Sequence, residues 1–409
     1  MTLRPFHQLL LGRIFTNAAD SIYFIISSLY IYEITRSAFI SGFTTSAMLA
    51  VKFIQLFYGP IIDYFNIKKI LILSQTLQAI LMTILSICIL NNYNHWLLII
   101  SLVILSMLFG EFSYPISNKL VPILLSKEGL VKGNSQMTFA NNTLDIVLNA
   151  VIAALFVTMS ANVFYIISAI LFLFATICYW KLPVTNHINK KATIKFNYFQ
   201  SLMAGLKIVS SSFLWIFIIG AFSVNLGIGI VYGALPKLAH DVDNPTYYGL
   251  FLATMSIGMI LSTLIATRFK RVPLGKLMIL LFTVAGSSIL TGLVIKLPFY
   301  LIFYGLSWVI VGIANLLLLS VNQSIIPNEY LARVSSVSNS FGILGLPLGS
   351  LVAGILLENI SAIQLISLSG ICYLGLAILW LMIPTLRKQK KIDNIIANDF
   401  GLNKKNNHS

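Results

Sequence analysis

Charge is scarce in this chain. Of its 409 residues only 10% are Asp, Glu, Lys or Arg, while 58% are hydrophobic. No soluble domain of that length needs so much apolar surface, which excludes a water-soluble enzyme or binding module and leaves a polytopic membrane protein. Acid is scarcer still: 12 acidic side chains stand against 27 basic ones, a net charge of +15. In a soluble protein that balance would suggest nucleic acid. Here nearly all the bases fall in one set of alternate gaps between apolar runs, so no nucleic-acid partner is expected. Cysteine is almost absent. Cys88, Cys178 and Cys372 each lie inside an apolar run without CxxC spacing, so they read as small core residues rather than a disulfide framework. Histidine is equally sparse, with His7, His95, His187, His240 and His408 near span ends or in loops. Neither HExxH, nor the phosphate-binding GxxxxGK(S/T), nor the nucleophile elbow GxSxG occurs. No metal, no cofactor and no enzymatic centre are expected, nor ATP-driven transport by this chain alone.

What is present is a run of apolar segments of membrane length. Twelve can be drawn, at about 9–33, 38–60, 68–90, 96–117, 136–159, 162–182, 212–235, 247–269, 274–296, 298–320, 337–357 and 362–384. Each has the ~20 residues that a helix needs to cross ~30 Å of hydrocarbon. Helices are the default because an open sheet leaves its edge unsatisfied in lipid. The first span begins near Leu9, contains Asp20 and lacks a small-residue cleavage site, so no cleavable signal peptide is expected. The bases orient the chain. Arg4 and Arg13 open the first span, Lys68 and Lys69 follow the second, Lys119, Lys127 and Lys132 the fourth, and Lys181, Lys190 and Lys191 the sixth. Arg268, Lys270, Arg271 and Lys276 follow the eighth, Arg333 the tenth, and Arg387 to Lys391 the twelfth. By the positive-inside rule both termini are cytoplasmic, in a multi-pass protein of the cell membrane.

The longest gap divides the spans six and six. The expected organisation is an N-terminal bundle at 1–182, a cytoplasmic linker at 183–211, a C-terminal bundle at 212–384 and a basic cytoplasmic tail at 385–409, the tail read as disordered. The halves echo each other. Pro122 with Glu128 and Lys132 follows the fourth span, and Pro327 with Glu329 and Arg333 follows the tenth, the matching place in each half.

The gap after the second span carries Gly59, Asp63, Lys68 and Lys69. A glycine, an aspartate four residues on and a basic pair resemble the loop 2–3 signature of the major facilitator superfamily. Tyr64 stands where the family usually has an arginine, and Asn66-Ile67 where it usually has Gly-Arg. Thr35 to Ala38, Phe112 to Pro122, Pro327 to Val334 and Phe341 to Ser350 resemble the macrolide-efflux and siderophore-exporter branch. The resemblance implies an all-α fold of twelve transmembrane helices in two pseudo-symmetric six-helix bundles, rocking about a central cavity between spans one, four, seven and ten. It also implies that Asp63 lies near the start of span eleven and steadies one of the two end states. Ser106 stands about where drug–proton antiporters of the superfamily often carry an arginine, and span five lacks their glycine-proline motif.

An ionisable side chain at membrane depth costs roughly 2.5–3.5 kcal/mol on insertion scales, so each one is a functional candidate. Asp20 lies about eleven residues into the first span. Lys52, at similar depth in the second, is a candidate ion-pair partner; the alternatives are that Lys52 snorkels and that Asp20 bonds Asn17. Glu111 and Asp145, in spans four and five, complete the proton-coupling candidates, with Glu111 also readable as a cap or gate residue. Asn142, Asp145 and Asn149 share one helical face, which suggests a water-filled cavity or polar helix packing. Asn17, Phe24, Asn142, Asn149, Asn225 and Asn315 are the substrate-cavity candidates. Gly345, Pro347 and Gly349 would let span eleven bend and approach a neighbour closely.

These readings converge on a secondary transporter, not an enzyme, that works by alternating access on a small-molecule substrate. The expected task is proton-antiport export of a hydrophobic or amphipathic compound such as an antibiotic, drug or siderophore, by a monomer in contact with membrane lipids. The alternatives are a lipid or lysolipid flippase of the same fold and a non-transporting membrane sensor or immunity protein. The second is favoured if Asp20, Asp63 and Asp145 can all be neutralised without loss of phenotype.

Overall fold

A computed structural model describes residues 4–54, 66–125, 130–183, 213–326, 337–338, 340–396 and 399. Gly59 and Asp63 of the loop motif, the linker from 184 on, and the Pro327–Val334 segment lie outside the described residues. Those described form helices joined by turns and short connections, apart from one isolated bridge between Pro273 and Lys391. Nine helices among them are long and apolar enough to cross a membrane. Ala38–Ile54 and Ser340–Leu356 are shorter apolar helices, and Leu130–Leu155 is long but more polar. Together they match the twelve spans one for one.

In chain order the helices are α1 (Arg4–Thr35), α2 (Ala38–Ala50, continued by a 3-10 turn Val51–Ile54), α3 (Ile67–Leu90), α4 (Trp96–Gly110), α5 (Ser113–Leu124), α6 (Leu130–Leu155) and α7 (Ala161–Trp180). There follow α8 (Trp215–Asp241), α9 (Thr246–Ile265), α10 (Leu274–Leu290), α11 (Leu297–Ile325), α12 (Gly345–Leu356), α13 (Ala362–Leu368), α14 (Gly370–Met382) and α15 (Pro384–Arg387).

Local chemistry sets the boundaries. Arg36 ends α1 with φ 51°, its N–H still bonded to the Tyr32 carbonyl at 2.8 Å, and Ser37 caps α2 by accepting from the Ile40 N–H at 3.2 Å. Asn66 caps α3 from the Lys69 N–H at 3.2 Å. Lys68 reaches across to the Leu182 carbonyl at 2.7 Å, placing a cation on the orphan carbonyls just beyond α7. Ser361 and Gln364 form a capping box at the start of α13.

The chain forms two compact units. The first comprises Met1–Lys195 and Leu235–Ala253, the second Phe196–Ala234 and Thr254–Ser409. In the first, α1 packs against α6 and α7, and α3 against α7 and α4. The α8–α9 hairpin tip, which a six-plus-six division assigns to the second bundle, belongs to this unit. Two residues permit it. Pro236 removes one backbone bond inside α8, and Gly249 lets the α9 backbone close on the Asn149 carbonyl and Ala153 of α6. Tyr32 at the end of α1 meets His240 of the tip with ring centroids 5.4 Å apart.

In the second unit α10 packs on α14 and α11. Here the tail departs from expectation: it is ordered from Pro384 to Ile396. The Lys390 carbonyl accepts from Leu274 N–H at 2.9 Å, Gln389, Ile392 and Ile395 are buried, and Lys390 pairs with Asp399 at 3.3 Å. Backbone pairing and two buried isoleucines outweigh the basic composition on which the disordered reading rested.

Candidate functional site

Five polar residues of α1, at positions 13, 16, 20, 23 and 27, are spaced in alternating steps of three and four that put them on one face of a helix. That face looks onto α3 and α7. At its lower-numbered end the Thr16 hydroxyl lies 2.8 Å from Gln75 Oε1 on α3 and 3.3 Å from the Tyr179 hydroxyl on α7. Gly12, one turn earlier, leaves the space that the Tyr179 ring fills. At the other end Ser27 and Tyr165 bond at 2.9 Å. Between them sits Asp20, half-buried, accepting from Gln78 Nε2 of α3 at 3.5 Å. Gln78 in turn is held by Gln75, whose Nε2 donates to Gln78 Oε1 at 2.9 Å. Thr16, Gln75, Gln78 and Tyr179 are fully buried.

The fourth span passes this cluster as one apolar helix, Trp96–Ser117, in which α4 runs into α5 through a turn at Glu111 and Phe112 whose backbone stays helical. Gly110 closes α4, and a methyl group there would lie 2.8 Å from Gln78 Nε2 and 3.7 Å from Asp20 Oδ1. The glycine therefore makes room for the Gln78–Asp20 contact. The charges acting on Asp20 are Arg13, about two turns back along α1, and Glu111 at the α4–α5 turn; the Tyr23 hydroxyl also reaches its carboxylate.

The other candidates divide. Lys52 lies on the 3-10 turn after α2, exposed, and is not among the charges acting on Asp20. Asn17 and Phe24 are half-buried on α1, and Asn149 is half-buried on α6 with its carbonyl against Gly249. Asn142 and Asp145 lie on α6 with their side chains outside the described residues. Asn225 Nδ2 donates to the Gly342 carbonyl at 3.0 Å, which ties α8 to the segment leading into α12. Asn315 is exposed on α11. Gly345 and Gly349 lie backbone to backbone against Phe222, Leu226 and Ile230 of α8, with Gly229 set against the Leu346 carbonyl in return. Pro347 lies inside the apolar helix Ser340–Leu356, where it withholds one backbone hydrogen bond at the turn around Leu344.

Gln75, Gln78, Thr16, Tyr179 and Gly110 were missed by an inventory of ionisable residues. One signal was present: Gln75 and Gln78 stand three apart in an otherwise apolar span, on one face.

No curated protein matches the chain. Solved structures do, at low identity. The nucleoside transporter NupG superposes with a TM-score of 0.72 at 15% identity over 93% of this chain and 98% of that one. A bacterial homologue of the iron transporter ferroportin, in its inward-facing state, gives 0.70 at 16% over 94% and 100%. A bacterial homologue of the human lysosomal transporter Spinster gives 0.67 at 13% over 93% and 96%. The family model of the Major Facilitator Superfamily covers residues 9–345. That match runs into both halves and through the first, third and fourth spans around Asp20, and the chain belongs to the Major Facilitator Superfamily.

Proposed function

We propose that the protein is a proton-coupled exporter of a hydrophobic or amphipathic small molecule, with Asp20 as the group that takes up and releases the proton. The observation that carries this reading is the setting of Asp20. It is a carboxylate at membrane depth in α1, held by a neutral amide and flanked by one cation, Arg13, and one further acid, Glu111. An acid in that position is a candidate for taking up and releasing a proton. Export, rather than uptake, follows the resemblance to the macrolide and siderophore branch. The fold alone does not choose a substrate, since solved relatives of similar likeness are named for nucleosides and for iron.

The test uses everted membrane vesicles energised to an acidic interior. A panel of macrolides, dyes and siderophores is added and the collapse of the pH gradient followed, for the wild type and for Asp20→Asn. Substrate-induced proton efflux that Asp20→Asn abolishes is the expected result. Efflux that persists in the variant removes Asp20 from the coupling. A folded wild type that responds to no compound removes drug export and turns attention to lipid substrates.

A further inference from the structure

The hydrogen bonds beside Asp20 have two self-consistent settings. In one, the Thr16 hydroxyl donates to Gln75 Oε1 at 2.8 Å, Gln75 Nε2 donates to Gln78 Oε1 at 2.9 Å, and Gln78 Nε2 donates to Asp20 Oδ1 at 3.5 Å. Every donor points toward the carboxylate, as a charged Asp20 requires. The Thr16 hydroxyl has one proton and a second acceptor, the Gly12 carbonyl, at 2.9 Å. If Thr16 turns to Gly12, both amides can rotate by half a turn. Gln75 Nε2 then donates to the Thr16 oxygen, Gln78 Nε2 to Gln75 Oε1, and Gln78 Oε1 faces Asp20. That setting needs a donor on Asp20, which is its protonated form. All three links, Thr16–Gln75, Gln75–Gln78 and Gln78–Asp20, are kept in either setting, and an amide without a partner is what a buried site can least tolerate.

We propose that Gln78 and Gln75 are positioning residues for Asp20: a reversible amide relay, closed at its far end by Thr16, that keeps Asp20 hydrogen-bonded whether charged or protonated. The inference rests on the proton-carrying role given to Asp20 above. The relay explains why α3 spends two glutamines in a buried position, why Gly110 carries no side chain, and why Thr16 sits between two acceptors. Other groups face Asp20 as well. Arg13 and Tyr23 do so from α1, Glu111 from the α4–α5 turn and Tyr179 from α7; the Asp145 side chain on α6 lies outside the described residues. None of these residues changes in the variants below.

The experiment compares Gln78→Leu and Gln75→Leu with the wild type and Asp20→Asn, in vesicles, over a range of pH. A hydrogen bond to the charged form outweighs one to the protonated form, so removing the amide displaces the titration of Asp20 by about one pH unit. Both leucine variants are expected to displace the pH midpoint of transport by that amount and to leave the substrate KM unchanged. Gln75→Leu is the decisive one, because Gln75 does not touch Asp20. Displacement by Gln78→Leu alone means a single hydrogen bond and overturns the relay, as do two wild-type profiles. The second readout is infrared: acid-minus-neutral difference spectra of protein carrying isotope-labelled glutamine. A side-chain amide band present in the wild type and absent in Asp20→Asn supports the relay even where a leucine variant does not fold; no such band overturns it. Proton release that survives Asp20→Asn overturns the coupling reading instead, and the infrared band then decides the relay by itself.

Discussion

Replacing Gly349 with alanine tests the packing on which the second unit depends. The added Cβ would collide with the Leu226 carbonyl oxygen and stand 2.8 Å from the Ile230 nitrogen and 3.1 Å from the Gly229 carbonyl carbon. All three are backbone atoms of α8, so no side chain can rotate out of the way. Ordinary contact begins near 3.4 Å, so α12 must retreat from α8 by at least about 0.6 Å at the nitrogen alone. That retreat also loosens the Gly345 contact, one turn away, and the Asn225–Gly342 bond. Overpacking of this kind costs about 1–3 kcal/mol. Gly220, on the same α8, supplies the control. A methyl group there meets nothing among the described residues within 4 Å, and alanine in a helix interior gains about 0.5–1 kcal/mol over glycine. Thermal unfolding can be followed with a thiol-reactive fluorophore, because Cys88, Cys178 and Cys372 are free and partly buried. Gly349→Ala is expected to unfold at lower temperature than the wild type and Gly220→Ala at the same or a higher one. A Gly349→Ala protein as stable as the wild type would refute the close α8–α12 contact.

Two other perturbations follow from the fold. In a background without native cysteines, Tyr32→Cys with His240→Cys should join through a short thiol crosslinker, since the native rings lie 5.4 Å apart. If alternating access requires the hairpin tip to leave α1, the link stops transport until it is reduced; full transport in the linked protein shows that the tip stays on α1 through the cycle. Ending the chain after Lys388 removes the acceptors of the Leu274 and Gly275 N–H groups and two buried isoleucines, a local loss of about 2 kcal/mol or more. Limited trypsin digestion should then cut faster at the exposed Arg268 and Arg271, and an unchanged cleavage rate would mean that the tail contributes nothing there.

The architecture was legible because a bilayer imposes one simple demand, a stretch of ~20 apolar residues per crossing, and hydropathy reads that demand directly. The candidate site was legible only in part, and the reason is physical. Asp20 declares itself because a charge in hydrocarbon is costly. Gln78, 58 residues away in sequence, carries no charge, and a neutral amide in an apolar span looks like a tolerated impurity until the packing of α1 on α3 is known. Lys52 was paired with Asp20 on depth alone, a coordinate that says nothing about which face of a helix a side chain occupies. The small-residue spacing of Gly345 and Gly349 announced a close neighbour but not its identity; that α8 fills the role depends on Gly229 answering from the other side. The ordered tail hid for the converse reason: its bases are obvious, while Ile392 and Ile395 matter only once Pro273 is beside Lys391.

The two units therefore solve the same problem by different chemistry. The first joins α1 to α3 and α7 with side chains that exchange hydrogen bonds, Thr16, Gln75, Gln78, Ser27 and Tyr165 among them. Such contacts can be rearranged at little cost when every donor finds another acceptor. The second joins α8 to α12 and α10 to α14 through glycines, with Gly229 on Leu346 and Gly286 on the Gly370 carbonyl. Contacts of that kind depend on fit and tolerate no added atom. A protonation event needs a partner that can change its bonding without unpacking, and the first unit has that property. The division predicts where substitutions will matter. Changes of hydrogen-bonding character in the first unit should alter coupling, whereas changes of volume in the second should alter stability.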